Sequence, residues 1–291
     1  MEALFKTIGL VARHNSERAF ASLKTLAAHL TESGYSVLVD RACAQGHDTE
    51  SLTLIDRTDL GKVADLAIVI GGDGTMLSVA RHLAPYRVPL AGVNRGRLGF
   101  MTDVPLAQML SGMDAILAGE FVPEERMILQ CTVFRGDTEI VRSLALNDVV
   151  FSRGSMGSMI EFEVFIDAQF VYSQRSDGLI ITTPTGSTAY ALAAGGPILH
   201  PTVPAIALVP ICPQSLSNRP IAVNDSSNVE FILTKGVDAR VHFDGHGHCE
   251  LQELDRVLIQ RYRNPLKLIH PLGYNYYDML RHKLHWGERL I

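Results

Sequence analysis

The sequence predicts an α/β amino-terminal domain on a Rossmann-like parallel sheet, followed by an all-β sandwich. Three observations point there. Strand-like apolar runs alternate with helically spaced apolar residues over the first third of the chain. A glycine turn, Gly71-Gly72-Asp73-Gly74-Thr75, directly follows one of those runs. Beyond Gly119 and Pro123 the pattern changes to short segments in which polar and apolar residues mostly alternate.

Taken in order, Thr7 to Val11 reads as the first buried strand. Phe20, Leu23, Ala27 and Leu30 recur at helical spacing, and Tyr35 to Val39 reads as the next strand. Leu66 to Ile70 is wholly apolar, as a strand covered on both faces should be. Met76 to Leu83 reads as the helix after the glycine turn, and Pro89 to Val93 as another buried strand, consistent with a parallel sheet. Ligands gather at the carboxyl ends of such strands. That rule covers Asp73 and also the second turn, Asn94-Arg95-Gly96-Arg97-Leu98-Gly99-Phe100. A helix around Ala107 to Leu117 closes the region. Glu161 to Asp167 then alternates, and Val229 to Leu233, Ala239 to Phe243 and Val257 to Tyr262 suggest a sandwich rather than more βαβ units. A terminal helix over Tyr276 to Leu284 is expected to pack back on the first domain. The expected domains are therefore 1–119 joined by 268–291, and 120–267.

Composition narrows the function classes. A chain of 291 residues with 47% hydrophobic content suffices for two ordinary cores. The net charge of -5, from 31 acidic and 26 basic residues without a basic block, argues against a nucleic-acid partner. Met1 to Lys6 lack the pattern of a signal peptide, and no apolar stretch approaches membrane-spanning length. A cytoplasmic protein without a membrane partner is expected. Cys43, Cys131, Cys212 and Cys249 are widely spaced and read as reduced thiols.

The glycine turn carries the first chemical signal. Glycines let main-chain N–H groups approach a ligand closely, and a following helix adds its N-terminal N–H groups and dipole, so the junction suits phosphate. An aspartate at its centre would repel that phosphate. It earns a place if it takes a proton from an attacking hydroxyl, binds a ribose hydroxyl or helps hold a divalent cation. Each option points to a nucleotide. The spacing matches neither a Walker loop nor a G-x-G-x-x-G fingerprint, and a plain tight turn is the competing reading.

The second signal is Gln174 to Tyr190, whose polar density is too high for a core strand alone. Thr183, Thr185, Ser187 and Thr188 supply hydroxyls around Pro184 and Gly186, Arg175 and Asp177 supply opposite charges, and Tyr190 can cover a planar ring. Its bland alternative is a loop capping the helix from Tyr190 to Ala193, with Arg175 and Asp177 as a surface ion pair. His242, His246, His248 and Cys249 have the side chains of a zinc site, but Gly245 and Gly247 break the strand that would align them. The other histidines, His270 and His285 included, read as surface or core residues.

Together and in order, Gly71 to Thr75, Asn94 to Phe100, Asn147-Asp148, Arg175 to Tyr190 and Ala194-Gly195-Gly196-Pro197 resemble the bacterial NAD kinases over nearly the whole chain. The glycine turn is shared with 6-phosphofructokinases and with diacylglycerol and sphingosine kinases. The block from Thr183 to Tyr190 is far more specific. The resemblance implies transfer of the γ-phosphoryl group of ATP to the 2′-hydroxyl of the adenosine ribose of NAD, with a divalent cation, Mg or Mn. It makes Asp73 the proton acceptor, with Gly72, Gly74 and the metal holding phosphate charge and Asn94 in the binding set. On the nucleotide it places Asn147, Asp148, Arg175, Asp177, Thr185, Thr188, Ala189, Tyr190, Ala191, Leu192 and Ala193. It also implies a homo-oligomer, dimer or tetramer, in which a neighbouring subunit often completes the NAD site.

The chain departs from the family at two places. Many bacterial members carry Asp-Gly-Gln or Asp-Ser-Gln where this one has Asp244-Gly245-His246, so His246 is kept only as a candidate contact. Ser158 stands where relatives often carry a longer polar side chain, and it receives no role. Two other readings are a catalytically inactive dinucleotide sensor and a related lipid or sugar kinase. The retained Asp73 weighs against the first. The Arg175 to Tyr190 block weighs against a lipid substrate, and the lack of clustered basic residues for a sugar phosphate weighs against the last.

Overall fold

The structure is a computed structural model that describes residues 4–96, 99–154 and 158–287. Arg97 and Leu98 of the second turn, and the last four residues of the expected 268–291 segment, lie outside the described residues. The chain divides into two compact units, Met1–Glu125 with Leu266–Ile291, and Arg126–Pro265.

The first unit is α/β. Its strands are β1 (Thr7–Ala12), β2 (Ser36–Asp40), β3 (Leu54–Ile55), β4 (Leu66–Gly71), β5 (Leu90–Asn94), β6 (Val104–Pro105) and β7 (Phe121–Arg126). Between them run α1 (Glu17–Glu32), α2 (Arg57–Val63), α3 (Asp73–Leu83) and α4 (Met109–Leu117). Sheet order is β3-β2-β1-β4-β5, then the late strand Leu266–Pro271, then β7, with β6 also beside β5. Pairings among β1 to β6 are parallel, and so is that of the late strand with β5. β4 is buried along its whole length, which is why its sequence is continuously apolar rather than alternating. Ser16 caps α1 by accepting from the Ala19 N–H, and the helix buries Phe20, Leu23, Leu26 and Leu30 as a stripe.

Two local expectations change. The helix after the glycine turn begins at Asp73, not Met76, because Gly72 takes the extended N-cap conformation and an acid is favourable in a first helical turn. The expected helix from Ala107 begins at Met109, after a 3₁₀ turn at Leu106–Gln108. The terminal helix spans Tyr276–Leu284 and belongs to the first unit, as the sequence suggests.

The second unit is a β-sandwich. Its strands are β8 (Leu129–Arg135), β9 (Thr138–Ala145), β10 (Asp148–Ser152), β11 (Ile160–Ile166), β12 (Gln169–Ser176), β13 (Gly178–Thr182), β14 (Ala205–Ile211), β15 (Ile221–Asn224), β16 (Val229–Lys235), β17 (Arg240–Phe243), β18 (Gly247–Glu250) and β19 (Arg256–Arg261). One sheet has the order β15-β14-β13-β10-β17-β18 and the other β12-β11-β16-β19-β8-β9. Phe151 and Val241 of the first sheet pack with Phe162, Phe231 and Ile259 of the second in one buried cluster. On the outer face of the first sheet, Val150, Ile180, Ala207 and Val209 take Ala191 of the short helix α5 (Tyr190–Ala193).

Candidate active site

Asp73 is the first residue of α3, and its carboxylate is held by the loop that follows β5. The N–H of Phe100 donates to one oxygen at 3.0 Å and that of Met101 to the other at 3.1 Å. The Thr102 hydroxyl reaches the same oxygen as Met101, at 3.4 Å. Lys283 of the terminal helix places its ammonium 4.0 Å away. The carboxylate stays 28% accessible, so it is fixed in direction yet open to a ligand. Gly99 permits this approach: a Cβ there would stand 2.2 Å from the Asp73 Oδ1. Gly72 and Gly74 precede and follow Asp73 and are not buried.

Asn94 ends β5 beside Gly71 of β4. Its side chain is buried, donating to the Thr102 hydroxyl at 3.0 Å and accepting from the Gly96 N–H at 2.6 Å. The Asn94 amide thereby braces the loop that follows β5 and holds Asp73.

In the second unit the site is organised by Asp244, which follows β17 with a positive φ of 50°. Its carboxylate accepts from the N–H groups of Leu146, Asn147 and Asp148 at 3.0, 2.8 and 3.2 Å. Asn147 is thereby pinned by its backbone, while its Oδ1 is buried with no hydrogen-bond partner among the described residues. A ligand donor is the natural complement of that oxygen. Asp148 is buried beside Asp244, and burial first, then the charge of Asp244, pushes its pKa from 3.8 to about 7. Asp244 has three N–H donors to balance its charge, whereas Asp148 is raised by its own burial.

The hydroxyl-rich block is tied together by its own hydrogen bonds. Thr182 donates to the Asn147 carbonyl at 3.0 Å and Thr183 to the Leu146 carbonyl at 2.6 Å. Ser187 donates to the Pro184 carbonyl at 2.6 Å, and Thr188 to that of Thr185 at 3.3 Å. Gly186 closes the bracket, since a Cβ there would meet the Asn147 carbonyl oxygen at 2.2 Å. Thr182 and Thr183 thus fasten the Asn147 loop, and Ser187 and Thr188 close turns within their own segment. A fully buried core strand, β13, runs through the block after all. Thr185 is buried and accepts from Arg126 at 3.3 Å. Of the segment expected on the nucleotide, Ala191 is buried against the sheet, whereas Thr188, Ala189, Tyr190, Leu192 and Ala193 keep open surface, with Tyr190 48% exposed.

Arg175 and Asp177 do not pair with each other. Arg175 lies on the edge strand β12, 3.8 Å from Glu161, and Asp177 pairs with Arg153 at 2.7 Å. His246 is exposed in the turn after β17, its Nδ1 2.7 Å from the Asp244 carbonyl oxygen. His242 and His248 face each other across β17 and β18. Among the described residues no group of three His, Cys, Asp or Glu is arranged to hold a metal.

Sequence reasoning missed three contributors: the anchoring function of Asp244, the buried Arg126, and the cluster of Asp103, His270 and Glu124 behind the Asp73 loop. The Asp-Gly pair at 244–245 is a turn signal. Nothing local marks Arg126 or His270, because their partners are distant in sequence or arrive only with the fold.

The sequence matches the family described as ATP-NAD kinase N-terminal domain over residues 8–121 and ATP-NAD kinase C-terminal domain over residues 146–271. An NAD kinase of Chromobacterium violaceum is 70% identical over 291 residues, covering all of both chains. One from Neisseria meningitidis is 49% identical over 296 residues, again covering both chains fully. Among solved structures, a yeast NADH kinase complexed with NADH superposes with a TM-score of 0.90 at 22% identity, covering 100% of this chain and 93% of that one. An Archaeoglobus fulgidus NAD kinase in complex with ATP gives 0.75 at 23% identity, covering 96% and 98%. The two structural likenesses establish the shared fold, and with both halves matched and full-length identity this high, the chain belongs to the NAD kinase family.

Proposed function

We propose that this chain is an ATP-dependent NAD kinase, transferring the γ-phosphoryl group of ATP to the 2′-hydroxyl of the adenosine ribose of NAD and releasing NADP and ADP. The observation that carries the reading is Asp73, an accessible carboxylate oriented by two backbone N–H groups at the head of a helix. As the 2′-oxygen attacks the γ-phosphorus, its proton passes to Asp73, the new O–P bond forms, and the bond to the β-phosphate oxygen breaks with its electrons leaving on ADP. The first N–H groups of α3, with Gly72 and Gly74, face phosphate charge. The unpartnered Asn147 Oδ1 and its neighbour Asp148 receive NAD, and Tyr190 offers a ring to cover it. Arg175, Asp177 and His246 remain candidate contacts.

A divalent cation, Mg or Mn, would neutralise charge on the transferring phosphates when bound. Asp73 is the side chain on hand for it. We infer a homo-oligomer, dimer or tetramer, in the cytoplasm. Phe170 and Val171 on the edge strand β12 are exposed apolar residues that suit such an assembly, and sedimentation would give its size. Among the described residues no helix is long and apolar enough to cross a membrane.

The test is NADP formation by the purified protein with NAD, ATP and magnesium, read by an NADP-specific dehydrogenase, with Asp73→Asn alongside. Product from the wild type alone supports the reading. NAD binding without product would replace it with a sensor.

A further inference from the structure

The residues between His242 and His248 fold the chain back on itself instead of scattering its histidines. Asp244 and Gly245 sit at φ 50° and 67°, the left-handed pair of a tight hairpin turn, and the His246 N–H closes that turn on the Phe243 carbonyl at 3.0 Å. β17 and β18 therefore pair antiparallel, with His242 directly opposite His248. Val241 and Phe243 belong to the sandwich core, so by alternation His242 lies on the outer face of its sheet.

Directly opposed residues share a face, and here the two imidazoles stand side by side, their centroids 5.7 Å apart and their planes inclined by 37°. Two rings bound to one zinc ion at a Zn–N distance of about 2.1 Å have centroids roughly 5–6 Å apart, so the observed spacing is that of a chelating pair. His242 is half-buried, and its Nε2 lies 3.2 Å from the Ser152 hydroxyl of β10. A partner of that kind fixes the ring of a metal-binding histidine and leaves Nδ1 as the ligating atom. Burial first, then the charges of His248 and Arg240, lowers the His242 pKa from 6.5, so the ring is neutral at pH 7 with its lone pair available. The charge of Arg240 is itself shared with Asp238 and Glu250. His248 is exposed, so an ion reaches the pair from solvent.

We propose that His242 and His248 form a two-histidine site for a divalent transition-metal ion of the zinc class, which clips β18 to β17 and is separate from the cation of phosphoryl transfer. Imidazole nitrogen suits such an ion, whereas magnesium takes oxygen ligands. Water completes the coordination. The clip has a structural consequence within this unit. β18 is a four-residue edge strand, and the turn that joins it to β17 carries Asp244, whose carboxylate holds the backbone of Leu146, Asn147 and Asp148. A metal across the hairpin stiffens the segment that supports the Asn147 loop.

Calorimetry of the full chain, first stripped with a chelator and then titrated with zinc chloride in excess magnesium, tests the site. One saturable zinc site per chain is expected, removed by either His242→Gln or His248→Gln. Ser152→Ala should weaken it about tenfold through loss of the outer contact. His82→Gln, at an exposed histidine of α3, should leave it intact. Zinc should also raise the Tm of the wild type but not that of His248→Gln, a variant whose exposed position spares the fold. Zinc binding that survives in both hairpin variants, is lost equally in His82→Gln or is competed away by magnesium would overturn the proposal. So would one zinc per two chains, which would mean a site shared between subunits. None of these readouts needs turnover, so failure of the clip and failure of the kinase reading are told apart.

Discussion

His270 Nδ1 lies 2.8 Å from an Asp103 carboxylate oxygen, directly behind the loop whose backbone and hydroxyl hold Asp73. The other ring nitrogen is 3.0 Å from Glu124, and Tyr274 stacks on the ring at 3.8 Å. Burial lowers the imidazole pKa, but the hydrogen bonds to Asp103 and Glu124 outweigh it, and the net shift is upward from 6.5. A raised histidine pKa stabilises the fold fully below pH 6.5 and loses that contribution as pH rises through the native value.

His270→Gln should therefore destabilise the protein most at low pH. Removing one partner of a buried ionic cluster costs on the order of 3 kcal/mol. Thermal melts of both proteins between pH 5.5 and pH 9 should show the gap in Tm narrowing as pH rises, and a constant gap would contradict a charged imidazole.

Gly99→Ala should act on Asp73 without touching any nucleotide contact. The new Cβ would stand 2.2 Å from Oδ1, so the carboxylate or its loop must move. Misplacement by about 1 Å costs on the order of a hundredfold in turnover. Steady-state kinetics should show kcat falling with little change in the KM for NAD. Unchanged kcat would remove this loop from the positioning of Asp73.

Asp73→Asn keeps the shape and one of the two N–H contacts, since its amide nitrogen donates and cannot accept, and it ends proton acceptance. A loss of roughly 10²–10⁴-fold in kcat is expected, with NAD affinity retained. Normal turnover in this variant would dismiss Asp73 as the base.

Asn147→Ala should weaken NAD binding about tenfold, because the buried Oδ1 is the group that waits for a donor. Its backbone contact to Asp244 remains, so the fold should survive. Calorimetry with NAD reads the result, and wild-type affinity would take Asn147 out of the site.

Asp148 supplies a second pH test of the same sign. Its native pKa of about 7 stands above the ordinary 3.8, so the proton it keeps favours folding fully below pH 3.8 and no longer does once pH passes about 7. Asp148→Asn never carries that charge. Its Tm should exceed that of the wild type by more at pH 8 than at pH 5.

The fold class was legible because periodicity reports burial: Leu66 to Ile70 is apolar since both faces of β4 are covered, and Glu161 to Ile166 alternates since only one face of β11 is. The place of Asp73 after a buried strand and at the head of a helix was legible from the apolar run that precedes the glycine turn. The carbonyl partners of Thr182, Thr183, Ser187 and Thr188 were not legible, since a hydroxyl looks the same in sequence whether it meets a nucleotide or a neighbouring carbonyl. Arg126, Asp103 and His270 were illegible for a related reason. Their roles depend on partners dozens of residues away, and Asp103 and His270 lie 167 residues apart.

The strand Leu266–Pro271 sits between β5 and β7, yet the whole of 126–265 precedes it in the chain. During synthesis on the ribosome, the sandwich can close before the α/β sheet receives this strand. Until residue 271 has emerged, β5 lacks that neighbour, Asp103 lacks His270, and the terminal helix bearing Lys283 has not been made. The α/β sheet thus receives its last strand only after the whole sandwich has been synthesised, and a chain cut short at 265 would carry Asp73 but none of these late supports.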